Sequence, residues 1–182
     1  KSGRDVSRSP TEELQSETAG KPLYGETKAG RVRSYCLKYQ PESVVLRLSW
    51  MYDSLTEDEL AKGRRNLATM LREMLDQKQS RKFSDTDHRG VTDVTLVVKN
   101  MEAAWKLPGG IYNYGSSNDT NMYETVRRVM ASFGQEALAE KATGGNVRNL
   151  MMRTDKLARH GIFFPDTAAG WKHFCGKAEH YE

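Results

Sequence analysis

Apolar positions along the chain alternate between short β-rich runs and helical stripes. Residues 43–51 (SVVLRLSWM) form a run of branched and apolar side chains after a turn at Pro41, a pattern typical of a buried strand in a parallel sheet. Farther on, a stripe recurs at the 3.6-residue spacing of an amphipathic helix, formed by Leu67, Met70, Leu71, Met74 and Leu75. Helices and strands in alternation predict an α/β fold.

The flanking segments continue this rhythm. Apolar residues at helical spacing predict a helix from Tyr24 that ends at Gln40 and Pro41. The later predicted elements are a helix over 94–105 capped by Thr92 or Asp93, a strand over 110–115, a helix over 122–133 capped by Asn121, a strand over 147–152, a short helix from Thr154 or Asp155 to His160, and a final helix from Asp166 or Thr167.

Polar segments separate these elements. Residues 1–21 contain almost no apolar side chains and are predicted to be a flexible loop or frayed end, followed by one domain over 22–182. Residues 54–65 are a charged stretch that leads into the amphipathic helix. Residues 77–89 are predicted to be a polar connection without regular structure.

Composition and charge exclude several classes of protein. The chain is 37% hydrophobic and 29% charged, as expected for a globular domain. Its net charge is +4, and its lysines and arginines are interspersed with acidic residues, a pattern that does not indicate nucleic-acid binding. No apolar run approaches the roughly 20 residues of a membrane span, and no secretory signal is seen. We therefore expect a cytoplasmic protein without a membrane partner.

Cysteine and histidine spacing predicts neither a disulfide framework nor a metal site. Cys36 and Cys175 are far apart in sequence, and each falls in a helical pattern, so reduced thiols are expected. The histidines form no H-E-x-x-H arrangement, and His173 and Cys175 project from different faces of their helix.

Five blocks of sequence resemble one family in the same order. Residues 21–52 (KPLYGETKAGRVRSYCLKYQPESVVLRLSWMY) resemble the Y-G-x-T-K helix and the L-R-x-S-W-x-Y strand of extended short-chain dehydrogenases/reductases, and are most similar to the reductases acting on dTDP-4-dehydrorhamnose. The later blocks RGVTDVT, PGGIYNYGSSNDTNMYE and NVRNLMMRTDKLARHGI are also similar to that family. The resemblance implies the C-terminal part of a Rossmann-like fold, with helices on a few mostly parallel strands and the N-terminal cofactor-binding half absent.

The resemblance assigns the chemistry to Tyr24 and Lys28. Carbonyl reduction needs a proton donor at the oxygen that gains negative charge, and Tyr24 would be that acid. A free phenol has a pKa of about 10, and Lys28, one helical turn away on the same face, would stabilise the phenolate. By resemblance both residues also contact a nicotinamide cofactor, NAD or NADP. The family's Ser or Thr hydroxyl falls at or before Lys1, no residue is assigned to it, and no glycine-rich phosphate loop precedes Tyr24.

Six further residues are candidates for binding the sugar nucleotide: Arg47, Ser49, Trp50, Tyr52, Arg89 and Asn149. Trp50 and Tyr52 follow the predicted strand at its carboxyl end, where ligands bind in open α/β sheets. Trp50 is equally compatible with a core aromatic, Arg47 with a structural hydrogen bond, and Arg89 with an exposed, solvated charge.

The block that contains Asn149 departs from the family pattern. Val147 and Arg153 stand where the family has Pro and Asp. This departure leaves the nucleotide specificity open.

The motifs favour NAD(P)-dependent reduction of a keto sugar nucleotide, with the chain expected to be inactive on its own. The alternatives are a sugar-nucleotide epimerase or dehydratase and a non-catalytic, reductase-like binding module. If the sheet is incomplete, the helices over 67–75 and 94–105 would expose apolar surface, so we expect either a homo-oligomer or a partner that supplies the missing half.

Overall fold

The computed structural model describes residues 37–145 and 147–176. The strands in these ranges are β1 (Val44–Leu48), β2 (Trp50–Tyr52), β3 (Arg81–Ser84), β4 (Asp87–Arg89), β5 (Val91–Asp93), β6 (Gly110–Tyr114), β7 (Ala139–Ala142) and β8 (Arg148–Leu150). The helices are α1 (Glu57–Ala61), α2 (Leu67–Gln77), α3 (Val94–Lys99), α4 (Met101–Ala104), α5 (Met122–Ala131), α6 (Asp155–Ala158) and α7 (Thr167–Gly176), with a 3-10 turn at Glu136–Leu138. The segment 1–21, most of the first predicted helix and Cys36 lie outside the described residues.

The strands pair in parallel across long sequence separations. Strand β1 pairs with β6, β2 with β5, β3 with β7 and β4 with β8, and each of these pairs is parallel. Parallel partners need a crossover connection, and helices lie in these connections. The prediction of an α/β fold with mostly parallel strands is confirmed.

The strand predicted over residues 43–51 is two strands with different partners. The chain leaves β6 after Leu48 and joins β5 at Trp50. Ser49 stands at the change of partner, where its hydroxyl bonds to the Thr92 hydroxyl and donates to the Trp50 carbonyl at 3.0 Å. The residues of β1 are half-buried or exposed rather than fully buried.

The polar segments contain structure that the pattern did not predict. The expected connection over 77–89 holds β3 and β4, and the charged stretch before α2 holds α1. Strand β3 (RKFS) has one buried apolar side chain, Phe83, so no alternation marks it. It is a strand because β7 pairs with it, and β7 was not predicted either.

Two of the predicted caps form side-chain hydrogen bonds, whereas Thr154, at the start of α6, makes none. The Asp93 carboxylate accepts from the Thr95 N–H at 2.8 Å, so Asp93 is the cap and Thr92 belongs to β5. The helix predicted over 94–105 divides at Asn100 into α3 and α4. The Asn121 side chain accepts from the Glu124 N–H at 2.8 Å and starts α5 as predicted.

Two apolar clusters form the core. The first joins α2, α5 and α7, and it buries Leu71, Met74, Val126, Met130 and Trp171 completely. The stripe of α2 packs on this cluster within the chain, with Leu67, Met70 and Leu75 half-buried, whereas an incomplete sheet was expected to leave it exposed.

The second cluster lies between α3, β6 and α6, with Tyr112, Tyr114 and Leu157 at its centre. The Tyr114 hydroxyl donates to the Val97 carbonyl at 2.9 Å, and burial raises the pKa of Tyr114 to about 12. On the outer side of α3 and α4, Val98 and Trp105 are exposed.

Gly90 fixes the junction between β4 and β5. A Cβ atom at this position would lie 2.0 Å from the Ser116 carbonyl oxygen, which is a backbone atom. We expect Gly90→Ala to destabilise the fold by roughly 1–3 kcal/mol because backbone must move to admit the methyl group. Gly176→Ala is the control, since its Cβ would meet Phe133 at an ordinary 3.9 Å. Thermal unfolding measures both, and equal midpoints would contradict the close approach.

Cys175 on α7 gives the fold a pH dependence. Burial raises the pKa of its thiol from 9.0 to about 11, against a lowering contribution from Arg72 and a smaller raising one from Asp76. Because the pKa is higher in the folded state, the protonated thiol contributes to the free energy of unfolding. This contribution is complete below pH 9 and is lost as the pH rises toward 11.

We therefore expect the free energy of unfolding to fall less between pH 8 and pH 10 in Cys175→Ala than in the parent chain. Urea titrations at the two pH values measure this difference, and the other titrating groups are common to both proteins. An equal fall in the two proteins would show that Cys175 is not the source.

Candidate functional site

A groove of about 780 Å³ lies between β2 and α2. Its apolar lining consists of Trp50, Met51, Leu67, Met70 and Val91. Its polar lining consists of Ser49, Arg65, Asn66, Glu73 and Arg81. The groove begins directly after the carboxyl end of β1, where α/β proteins place their ligand sites.

Trp50 is the largest exposed apolar side chain in the groove. Its residue is 61% exposed, so the alternative that it is a core aromatic is wrong. The guanidinium of Arg89 stands 3.8 Å from the centre of the Trp50 ring system. This cation–π contact covers one face of the indole and holds its orientation.

Arg89 is buried and paired. It is 4% exposed, so the alternative of a solvated surface charge is wrong. Its Nε and one terminal nitrogen donate to Asp87 Oδ1 at 2.9 and 2.8 Å, and the same terminal nitrogen lies 2.7 Å from Oδ2. Asp87 thus neutralises the charge of Arg89 and holds the Arg89 guanidinium against the Trp50 ring. Of the predicted substrate residues, Ser49 and Trp50 line the groove, and Arg89 contacts Trp50.

Two arginines and one carboxylate form the charged rim of the groove. Arg65 Nε lies 2.8 Å from Glu73 Oε1, and an Arg81 terminal nitrogen lies 3.8 Å from Glu73 Oε2. The two arginines and the glutamate leave the rim with one net positive charge. The Arg81 pair is long and its side chain is 42% exposed, so this guanidinium is accessible to an anion.

Asn66 builds the end of the groove nearest α2. Its Oδ1 accepts from the Thr69 N–H at 2.9 Å, and its own N–H donates to the Thr69 hydroxyl at 3.1 Å. This reciprocal capping box starts α2 and fixes the Arg65 backbone beside it. Asn66 Nδ2 also donates to the Asp53 carbonyl at 2.8 Å, which ties the helix start to the end of β2.

Four of the six predicted substrate residues do not line the groove: Arg89, which lies behind the Trp50 ring, and Arg47, Tyr52 and Asn149. Tyr52 is 2% exposed and stacks edge-on against Phe174, and burial raises its pKa, with smaller contributions from the charges of Asp93 and Cys175. Arg47 lies in β1, opposite Asn113 of β6. Asn149 lies in β8, opposite His88 of β4.

The sequence and the structure identify different parts of the site. Tyr24 and Lys28 lie outside the described residues, so their placement stays a prediction. The sequence did not point to Arg65, Glu73 or Arg81. The signal that existed was the N-x-x-T cap at Asn66, which locates the start of α2 and the arginine before it.

Within residues 37–145 and 147–176, no three histidine, cysteine or acidic side chains are grouped as metal ligands. No helix in these ranges has the length and apolar character needed to cross a bilayer.

Solved structures share the fold described above. dTDP-glucose 4,6-dehydratase from Bacillus anthracis, in complex with NAD, is 20% identical with a TM-score of 0.63, over 96% of this chain and 55% of that chain. The Bordetella bronchiseptica enzyme WbmG, in complex with NAD and UDP, is 18% identical with a TM-score of 0.60, over 93% of this chain and 55% of that chain. dTDP-4-dehydrorhamnose reductase from Bacillus anthracis, in complex with NADP, is 12% identical with a TM-score of 0.52, over 72% of this chain and 47% of that chain.

The chain shares their fold. The predicted α/β fold of Rossmann-like type is thereby confirmed. The chain spans about half the length of these structures. No protein-family model matches it, and no curated protein matches it.

Asp87 is expected to be the main support of the Trp50 and Arg89 pair. Asp87→Ala leaves a buried guanidinium without its carboxylate and should cost about 2–4 kcal/mol of unfolding free energy. The matched control is Asp155→Ala, which breaks an Arg–Asp pair of the same sequence spacing whose side chains are 56% and 62% exposed. That change should cost less than about 1 kcal/mol.

Urea unfolding of the two variants makes the comparison. A loss for Asp87→Ala as small as that for Asp155→Ala would show that Arg89 is held by other contacts.

Proposed function

We propose that the chain carries the substrate side of an NAD(P)-dependent sugar-nucleotide oxidoreductase, of the keto-sugar-nucleotide reductase type. The supporting observation is the groove after β1, which combines an exposed indole with accessible arginines. A nucleoside diphosphate has a planar base and two anionic phosphates, so its two halves match these two kinds of side chain. The cytoplasmic location is part of the same proposal.

In this proposal Trp50 stacks on the nucleobase. Arg89 holds the ring from one side, so the indole does not have to be ordered when the ligand binds. Arg81 and Arg65 contact the phosphates, because a guanidinium presents several donors to anionic oxygens. Arg47, Tyr52 and Asn149 stay candidates by resemblance alone.

Catalysis is assigned to Tyr24 and Lys28 by the sequence resemblance. Tyr24 would protonate the substrate oxygen, and Lys28 would stabilise the phenolate that remains. A nicotinamide cofactor supplies hydride in such reactions.

The described residues do not fit the dinucleotide. Gly109 and Gly110 lead into the strand β6, and Gly144 and Gly145 lead toward the strand β8, so neither pair opens a helix after a strand.

The epimerase or dehydratase alternative shares this substrate site. The solved structures with the same fold include a dehydratase, epimerases and a reductase, and their likeness concerns the fold. The choice of reductase rests on the Y-G-x-T-K and L-R-x-S-W-x-Y motifs. A non-catalytic module would bind in the same groove and fail only in turnover.

The substrate site is tested by titrating dTDP and UDP into the 182-residue chain by calorimetry. We expect Trp50→Leu to weaken binding roughly tenfold or more, since stacking of a base on an aromatic side chain contributes about 1–3 kcal/mol. Trp105→Leu is the control, because that indole is exposed outside the groove lining. No binding by the parent chain, or equal affinities for the two variants, would contradict the proposed site.

The catalytic assignment needs a separate measurement. In the longest polypeptide that the source cells produce, Tyr24→Phe should abolish reduction of a 4-keto sugar nucleotide with NADPH while leaving dTDP affinity unchanged. Undiminished turnover would remove Tyr24 from the reaction.

A further inference from the structure

We propose that the groove selects a nucleoside diphosphate by its phosphates and by the flat face of its base, without selecting which base. The inference rests on the proposed function and concerns the same site. It is based on the polar side chains around the groove, most of which already form hydrogen bonds or ion pairs within the protein.

Among the described residues that line the groove, Asn66 is the only one with a side-chain amide, the group best suited to read a base edge. Its oxygen accepts from the Thr69 N–H, and its nitrogen donates to the Asp53 carbonyl at 2.8 Å and approaches the Asp53 carboxylate at 3.3 Å. Turning this amide toward a ligand would remove the cap of α2. Asn66 is thus held for structure.

The hydroxyl groups near the groove are committed in the same way. Ser49 bonds to the Thr92 hydroxyl and to the Trp50 carbonyl. The Thr69 hydroxyl donates to the Asn66 carbonyl at 3.0 Å and accepts from the Asn66 N–H. Reading a base with either hydroxyl would require breaking bonds that hold the start of α2 or the β1–β2 junction.

The remaining polar side chains of the lining are charged. Glu73 is the one carboxylate that residues 37–145 and 147–176 contribute to the lining, and Arg65 Nε lies 2.8 Å from it. Arginine side chains have donors and no acceptor, and they are drawn to full negative charges on phosphate more strongly than to a neutral base edge. The charged rim therefore recognises the phosphates.

Trp50 provides contact with the base that every base can make. Stacking is tolerant of sequence because all nucleobases have a π-face. Leu67, Met70 and Met51 offer apolar surface beside it, and the groove of about 780 Å³ is large enough for a nucleotide.

The test measures dissociation constants of dTDP, UDP, CDP, ADP and GDP with the 182-residue chain under one buffer condition. We expect the five values to agree within about fivefold, whereas a site that reads a base edge by hydrogen bonds separates the bases by roughly fivefold to more than a hundredfold. Thymidine and uridine, which lack phosphates, should bind at least roughly tenfold more weakly than their diphosphates. Arg81→Gln should weaken all five diphosphates by the same factor.

The outcomes separate this inference from the proposed function. A single base preferred by more than about fivefold, with dTDP or UDP still bound, overturns the inference and leaves the proposed function standing. No binding by any of the diphosphates overturns both.

A second variant gives a result that does not depend on how much the substitution lowers the stability of the fold. Asn66→Ser retains a good helix cap and removes the amide. We expect it to leave the ratio of the dTDP and CDP dissociation constants unchanged, whatever it does to the melting temperature. A changed ratio would show that Asn66 reads the base and would overturn the inference.

Discussion

The hydrogen bond between the Ser49 and Thr92 hydroxyls is the contact on which the arrangement of this chain depends. Thr92 is fully buried, and its hydroxyl also accepts from the Ser116 N–H at 2.7 Å, so it joins the β1–β2 junction, β5 and the segment after β6. Only glycine fits at position 115, because a Cβ there would stand 2.7 Å from both hydroxyl oxygens, at a backbone φ of +154°. Three segments far apart in sequence are thereby held at one point, and the change of strand partner after Leu48 follows from it.

That change of partner creates the candidate site. If Trp50 continued along β1 beside β6, it would not meet Arg89, which ends β4 just before β5. Because β2 pairs with β5 instead, Trp50 comes opposite Val91, two residues from Arg89, and the guanidinium covers one face of the indole. The other side of the groove is set by the capping box of α2, which places Arg65 and the Leu67 side chain across from β2. An exposed aromatic side chain and accessible cations meet because strand pairing and helix capping are fixed together.

The sequence reached part of this site through motifs. The L-R-x-S-W-x-Y run pointed to Ser49 and Trp50, and the block after residue 88 pointed to Arg89. The burial of Arg89 was not foreseen, since an arginine at a loop edge is usually solvated; it is buried because Asp87, two residues before it, supplies both oxygens of a carboxylate. Arg81 was not identified because it lies in a polar segment whose strand is defined by pairing with β7 and not by its own pattern. Tyr24 and Lys28 stay predictions.

The sequence by itself determined the features that depend on near neighbours. The amphipathic stripe of α2, the Asn121 cap and the α/β class all follow from spacing within one or two turns of chain, where hydrophobic periodicity and side-chain capping act. The tertiary structure decided which strands pair, that β3, β4 and β7 exist, that Tyr52 is buried while Trp50 is exposed, and that three charged rim residues face one groove. These features depend on contacts between residues distant in sequence, and short polar strands carry no local signal of a partner that is supplied only when the chain has folded.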